Sequence, residues 1–371
     1  MGHRQGAVED LAVTPGFWQG RRVFLTGHTG FKGAWLAGWL DRLGAEVTGY
    51  ALAPETEPNL WSLLGLSRVR SVTGDINDRP ALDAALGAAR PEVILHLAAQ
   101  ALVRRSYRTP VETFATNVTG TVNEMDAARA CPDLRAVVVV TSDKCYDNTE
   151  QIWGYRETDP MGGRDPYSAS KGAAEIAAAA MAASFYAPLG SHPARVAMAR
   201  AGNVIGGGDW SEDRLVPDIV RGCLGPLGGV TLRAPGSVRP WQHVLEPLRG
   251  YLMLAERLAA GDDAATGGWN FGPERRDERA VLEVAQAVVA ALGRGRIDID
   301  AAAAGLHEAK MLRLDCTKAR LGLGWEPVTG FDDCVRLTAE WYAGWAKGRP
   351  AAELCAGQIA EYERLFTKDR P

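Results

Sequence analysis

The stretch Val23-Phe24-Leu25-Thr26-Gly27-His28-Thr29-Gly30-Phe31-Lys32-Gly33 decides the fold. A short β-rich apolar run turns through a glycine loop into a helical stretch that begins at Ala34. Glycines at such a turn permit tight backbone geometry, close approach to a pyrophosphate, and close packing of helix on strand. Outward from this point the rhythm repeats. Apolar runs at residues 23–26, 46–52, 69–73, 93–97, 136–141 and 195–199 alternate with amphipathic segments at 34–43, 80–89, 111–130 and 167–184. The runs hold neighbouring apolar residues rather than alternating ones, which marks strands buried on both faces, in a parallel sheet covered by helices. The expected fold is α/β, a doubly wound, Rossmann-like parallel sheet with a smaller mixed C-terminal lobe for substrate. Residues 1–20 form an N-terminal extension, 21–205 the dinucleotide domain, and 206–371 mainly the second lobe, with room for some of its strands to return to the sheet. Past about Gly206, glycine and proline are frequent and the remaining elements read as shorter.

Composition narrows the function. The chain has 371 residues, 46% hydrophobic and 23% charged, enough for a large core and beyond the size at which one core stops growing, about 250–300 residues. Its net charge of −4, from 41 basic and 45 acidic residues without a basic block, argues against a nucleic-acid partner. The most apolar stretch, residues 172–185, is too short for a bilayer and contains Glu175. Residues 1–20 carry Arg4, Glu9 and Asp10 without the apolar stretch of a secretory signal, and read as a frayed extension. The six cysteines form no CxxC pair and the histidines no ligand spacing, so a reduced, cytoplasmic protein without a metal site is expected.

Ligands of doubly wound sheets bind beyond the carboxyl ends of the strands. The glycine loop there reads as a dinucleotide site. The second run ends Gly49-Tyr50-Ala51-Leu52, with no acidic residue for the ribose hydroxyls and no arginine for a 2′-phosphate, and NAD is chosen over NADP. Lys32 pairs with a phosphate or is a solvated lysine at a helix start. Tyr167-Ser168-Ala169-Ser170-Lys171 sets a phenol and an ammonium four residues apart on one helical face, where the lysine can depress the tyrosine pKa. Ser142, Asp143 and Lys144 follow the apolar run 136–141. A hydroxyl, an acid and an amine side by side at a strand end suit proton transfer better than packing, because buried charges are costly unless paired or used. His96, inside a strand-end apolar stretch, reads as structural.

The glycine loop, Tyr167 with Lys171, HLAAQ at 96–100 and NVTGT at 117–121 together resemble the extended short-chain dehydrogenase/reductases that act on nucleotide sugars, over residues 17–342. Within that superfamily, GHTGFKG, TSDKCY, WGYRE with DPMGG, DPYSASK, RPWQHV and LDCTKARLGLGWEP are similar to the 4,6-dehydratases of the CDP-glucose branch. The resemblance implies that Ser142 and Tyr167 serve the C4 hydroxyl and that Lys171 holds the nicotinamide ribose. It further implies that Lys144 takes the C5 proton and that protonated Asp143 gives one to the departing C6 hydroxyl. Gly27, His28, Thr29, Gly30, Phe31, Lys32, Gly33, Asp75, Ile76, Ala98, Ala99 and Asn117 would join Tyr167 and Lys171 at NAD. Gln100, Ser106, Asn203, Leu215 and Arg239 would meet the sugar nucleotide. Inverting UDP-N-acetylglucosamine 4,6-dehydratases also pair Asp with Lys, and the longer motifs KCYDN and WGYRE favour the CDP-glucose branch. A nucleotide-sugar epimerase would not need Asp143 and Lys144, and a non-catalytic dinucleotide sensor would have no need of the intact Tyr/Lys pair. Small-residue faces on helices 111–130 and 173–184 point to a homodimer.

Overall fold

The computed structural model describes residues 13–226, 228–300 and 311–368. Its strands are β1 (Arg22–Thr26), β2 (Glu46–Ala51), β3 (Arg70–Thr73), β4 (Val93–His96), β5 (Ala136–Val140), β6 (Tyr186–Ala187), β7 (His192–Ala201), β8 (Val204–Ile205), β9 (Gly229–Leu232), β10 (Val238–Arg239), β11 (Gln242–His243), β12 (Gly267–Phe271), β13 (Arg279–Ala280) and β14 (Arg296–Ile299). The central parallel sheet runs β12-β7-β5-β4-β1-β2-β3, with β6 appended to β7. Strand order reverses between β1 and β4, which opens a crevice at their carboxyl ends.

The continuous apolar runs are explained by cores on both faces of this sheet. Val23, Leu25, Val93, Leu95, Ala136 and Val138 face one cluster, which also holds Trp35, Trp39, Leu248 and Tyr251. Phe24, Ile94, Val137 and Val139 face the other, with Met125, Ala178 and Tyr186. Successive strand residues point to opposite faces, so a strand covered twice has no place for a polar alternation.

Three expectations change. Of the extension expected over residues 1–20, residues 1–12 lie outside the described residues, and Val13–Gly20 is not frayed: Trp18 is fully buried, and its Nε1 donates to Glu256 Oε1 at 2.7 Å. The segment expected as one helix over 111–130 is Pro110–Phe114, a π-helical turn at Ala115–Thr119, and Gly120–Ala128. Beyond Gly206 the strands are short but the helices are not, running over Leu245–Ala259, Phe331–Ala346 and Ala351–Lys368. Leu245–Ala259 packs on β5 and β7, β12 extends the main sheet, and Ala351–Lys368 packs on the helix Phe31–Arg42. The chain therefore returns to its first layer after building the small sheets β9–β14 and β10–β13 above the strand ends. Tryptophan burial reflects this return, since Trp269, Trp325 and Trp341 are fully enclosed there.

Candidate active site

Strand ends converge on a cleft of about 940 Å³. Its floor is laid by the residues just past β1 (the glycine loop), β4 (Leu97–Gln100), β5 (Thr141–Lys144) and β7 (Gly202, Asn203), and its sides by Tyr50–Leu52 and Gly74–Ile76. A Cβ on Gly33 would lie 2.1 Å from the Gly27 carbonyl oxygen, and one on Gly27 would lie 2.8 Å from Ala98 N. Gly27 also has φ of +73°, the left-handed region. Backbone therefore passes backbone without side chains, leaving the start of Phe31–Arg42 bare toward the cleft, as a pyrophosphate requires. These residues fit a dinucleotide.

The helix Pro166–Phe185 starts where its sequence directs. Pro166 takes the first helical position, and Asp165 caps it by accepting from Ser168 N at 2.9 Å and Ser168 Oγ at 2.6 Å. Tyr167 thus sits in the first turn and Lys171 one turn later, both buried and both lining the cleft. Opposite them, Ser142 caps the short turn Asp143–Cys145, accepting from Lys144 N at 3.2 Å and donating to Asp143 Oδ1 at 3.0 Å. Among the described residues Asp143 Oδ2 has no hydrogen-bond partner, although it is fully buried.

Burial dominates the electrostatics. It pushes the Asp143 carboxyl upward against the pull of Lys144, the Ser142 hydroxyl, Arg239 and Lys32. It pushes Tyr167 up to about 12, opposed by the Ser142 hydrogen bond and by Arg214. It lowers Lys171 to about 8, opposed by Glu175. It lowers Lys32 to about 7, assisted by Arg214 and Lys171. Against the expectation that Lys171 depresses Tyr167, burial raises the phenol, and Ser142 and Arg214 lead the opposing influences.

The other expected residues separate into two groups. Thr29, Gly30, Phe31, Lys32, Asp75, Ile76, Ala98, Ala99, Asn203, Leu215 and Arg239 line the cleft. His28, Asn117 and Ser106 stand behind its wall. The His28 ring occupies the space that a Cβ on Gly49 of β2 would fill, and it bonds Ser71 Oγ at 2.7 Å. Asn117 accepts from Gln100 N at 2.8 Å and donates to Gln100 O and Ser170 Oγ, fastening the β4 loop to the helix of Tyr167. Ser106 Oγ accepts from Tyr167 N at 3.1 Å. Gln100 reaches the cleft, but its amide is engaged by Leu102 and Thr113. His96 is structural, bonded to Thr26 at 2.9 Å and Thr121 at 3.0 Å. Sequence reasoning missed Arg214, Trp210 and Arg233 in the cleft, and Arg105, which joins Glu55 at 2.6 Å and Glu212 at 3.3 Å across its mouth. Trp210, Arg214 and Arg233 sit on loops and Arg105 on the short helix Val103–Arg108, none of them within a periodic pattern, so no local signal marked them. Among the described residues no group of three or more His, Cys, Asp or Glu side chains is disposed to hold a metal, and no helix is long and apolar enough to cross a membrane.

A glycine loop at the switch point, facing a Tyr/Lys helix across a serine turn, defines an extended short-chain dehydrogenase/reductase of the nucleotide-sugar dehydratase kind. The chain belongs to the GDP-mannose 4,6 dehydratase family, whose profile matches residues 24–338. It is 45% identical over 359 residues to the CDP-glucose 4,6-dehydratase of Salmonella typhimurium (strain LT2), covering 96% of this chain and 100% of that one. It is 31% identical over 292 residues to the dTDP-glucose 4,6-dehydratase of Streptomyces antibioticus, covering 76% and 81%. Among solved structures, the dTDP-glucose 4,6-dehydratase DesIV of Streptomyces venezuelae, determined with NAD bound, is similar with a TM-score of 0.72 at 26% identity, covering 87% of this chain and 98% of that one.

Proposed function

We propose that this enzyme converts CDP-D-glucose to CDP-4-dehydro-6-deoxy-D-glucose and water, with NAD held in the glycine-loop half of the cleft and regenerated in each turnover. The observation that carries the dehydratase chemistry is Asp143, a buried carboxyl with one unpartnered oxygen and a raised pKa, beside Lys144 at the cleft floor. An epimerase that only oxidises and re-reduces C4 has no use for that pair. The likeness to the Salmonella protein supports the cytidine nucleotide.

The first N–H groups of Phe31–Arg42, approached closely because Gly27, Gly30 and Gly33 carry no side chain, would donate to the NAD pyrophosphate, while Asp75 and Ile76 would border its adenine end and Ala98 and Ala99 line its groove. NAD⁺ supplies the two-electron acceptor and donor for the sugar carbons, and one positive charge. Tyr167 takes the C4 hydroxyl proton with Ser142 as its hydrogen-bond partner, a strong base once ionised because burial raises its pKa. Lys171 holds the nicotinamide ribose. The resulting 4-keto group acidifies C5–H, which Lys144 removes as general base. Asp143, kept neutral by burial, protonates the departing C6 hydroxyl. Reprotonation at C5 completes the product. Asn203 and Arg239 hold the diphosphate, for which a guanidinium is well shaped.

We also assign the enzyme to the cytoplasm, supported by six buried, unbridged thiols. Two copies are proposed to pair through Pro110–Phe114 and Pro166–Phe185, supported by the exposure of Val111, Phe114 and Ile176 (80%, 38% and 61%). Sedimentation at micromolar concentration reads a dimer if so, and a monomer otherwise. The function is tested by offering CDP-glucose, UDP-N-acetylglucosamine and dTDP-glucose in parallel, with products identified by mass and NMR. Loss of water from CDP-glucose alone supports the proposal. Loss from UDP-N-acetylglucosamine alone transfers the enzyme to the inverting branch, and no loss from any refutes it.

A further inference from the structure

The helix Pro166–Phe185 carries a second buried charge that the scheme above leaves unused. Glu175 is 2% exposed and lies four residues beyond Lys171, the spacing that sets two side chains on one helical face. Arg200, near the end of β7, clasps it with two parallel bonds, Nε to Oε1 and Nη2 to Oε2, each 2.9 Å. Thr141 Oγ1 donates to the same Oε1, and Thr141 immediately precedes Ser142. Arg200 also donates to Tyr146 Oη at 2.7 Å, and Tyr146 donates to Asn270 Oδ1 on β12 at 2.7 Å. One carboxylate therefore joins the helix of Tyr167 and Lys171 to the strand end that presents Ser142, Asp143 and Lys144.

Three groups bear on the Lys171 ammonium: Glu175 on its own helix, Cys145 in the turn Asp143–Cys145, and Lys32 from Phe31–Arg42. Burial holds the Cys145 thiol far above its usual range, and Lys32 is itself a base. Glu175 is thus the carboxylate among the three. We propose that Glu175, aimed by Arg200 and Thr141, is a positioning residue: the internal counter-ion that keeps Lys171 charged and directed into the cleft while tying it to the Ser142 turn. The benefit to turnover rests on the function proposed above, but the counter-ion role can be measured without substrate.

Burial lowers Lys171 to about 8, and Glu175 is the first influence opposing it. A lysine loses its charge as pH rises through its pKa, so removing Glu175 brings that loss to lower pH. Removing one half of a buried pair strands the other, so the deciding variant is Glu175→Gln with Arg200→Gln, where the two amides can bond each other. The chain has seven lysines, few enough for NMR titration of protein labelled at the lysine ε positions, with the Lys171 signal identified by its loss in Lys171→Arg. In the folded double variant the Lys171 midpoint falls by about one unit or more. On CDP-glucose the alkaline limb of kcat moves down with it, while KM changes less than about threefold. Glu175→Asp, which keeps the charge, holds the midpoint within about half a unit of the wild type. A folded double variant with an unmoved midpoint overturns the proposal, and so does Glu175→Asp with a midpoint as low as the double variant's. A wild type inactive on CDP-glucose would refute the function instead and leave the titration to decide the counter-ion.

Discussion

Replacing Gly33 by alanine should loosen the nucleotide site more than any comparable change on the surface. The new methyl would lie 2.1 Å from the Gly27 carbonyl oxygen and 2.8 Å from both Gly27 C and His28 Cα. All three are backbone atoms, so no side chain can rotate away, and the loop must open by about 1 Å to reach ordinary contact. Forced overpacking of this kind costs about 1–3 kcal/mol. Since about 1.4 kcal/mol is tenfold in binding, NAD affinity should fall about 5- to 150-fold if the loop must close on the pyrophosphate. Calorimetric titration of cofactor-stripped protein measures this directly. Gly87→Ala is the control: a Cβ there meets nothing within 4 Å, in the helix Arg79–Ala89, and should raise stability by about 0.5–1 kcal/mol with NAD affinity unchanged. If Gly33→Ala bound NAD as the wild type does, the loop would not be the cradle described above.

Asp143→Asn should reduce turnover by about 10²–10⁴-fold, the usual contribution of a general acid, while exchange of C5–H with deuterated solvent persists through Lys144. Its stability effect has the opposite sign. An acid whose folded pKa is raised contributes stability at low pH that is lost as pH rises through that value, so the asparagine variant should melt above the wild type at pH 8 and lose its advantage toward pH 4; a variant that melts lower at pH 8 would contradict the burial argument. Tyr167→Phe should likewise lower kcat by about 10²–10⁴-fold with little change in KM, measured by steady-state kinetics. Trp18→Ala should cost about 3–5 kcal/mol, read as a marked fall in the denaturation midpoint, because the indole is wholly enclosed and bonded to Glu256; a neutral result would return residues 13–20 to a frayed end.

The sheet was legible because its strands are short apolar runs separated by amphipathic helices, and a strand covered on both faces advertises itself. The glycine loop, the Tyr167/Lys171 pair and the Ser142–Lys144 turn were legible because each is contiguous in sequence. What escaped was set by distant packing. β12 reads as Gly-Gly-Trp-Asn-Phe, a poor strand by itself, and is held in the sheet by pairing with β7. The π-helical turn at Ala115–Thr119 contains Asn117, whose side chain bonds Gln100 and Ser170, partners far away in sequence. Asn117 and Ser106 stand behind the cleft wall, bonded to Gln100 and to Tyr167 N, a placement that spacing along the chain does not carry. The direction of the Tyr167 shift was misjudged for a related reason, since burial disfavours the charged form of phenol and ammonium alike, raising Tyr167 and lowering Lys171.

The most direct test of the dehydratase account follows one hydrogen. CDP-glucose carrying deuterium at C4 is converted in ordinary water and the product examined by NMR and mass spectrometry. The account predicts loss of water and recovery of the deuterium at C6 of a 4-keto-6-deoxy sugar. Deuterium retained at C4 of an epimerised hexose, with no water lost, would contradict it.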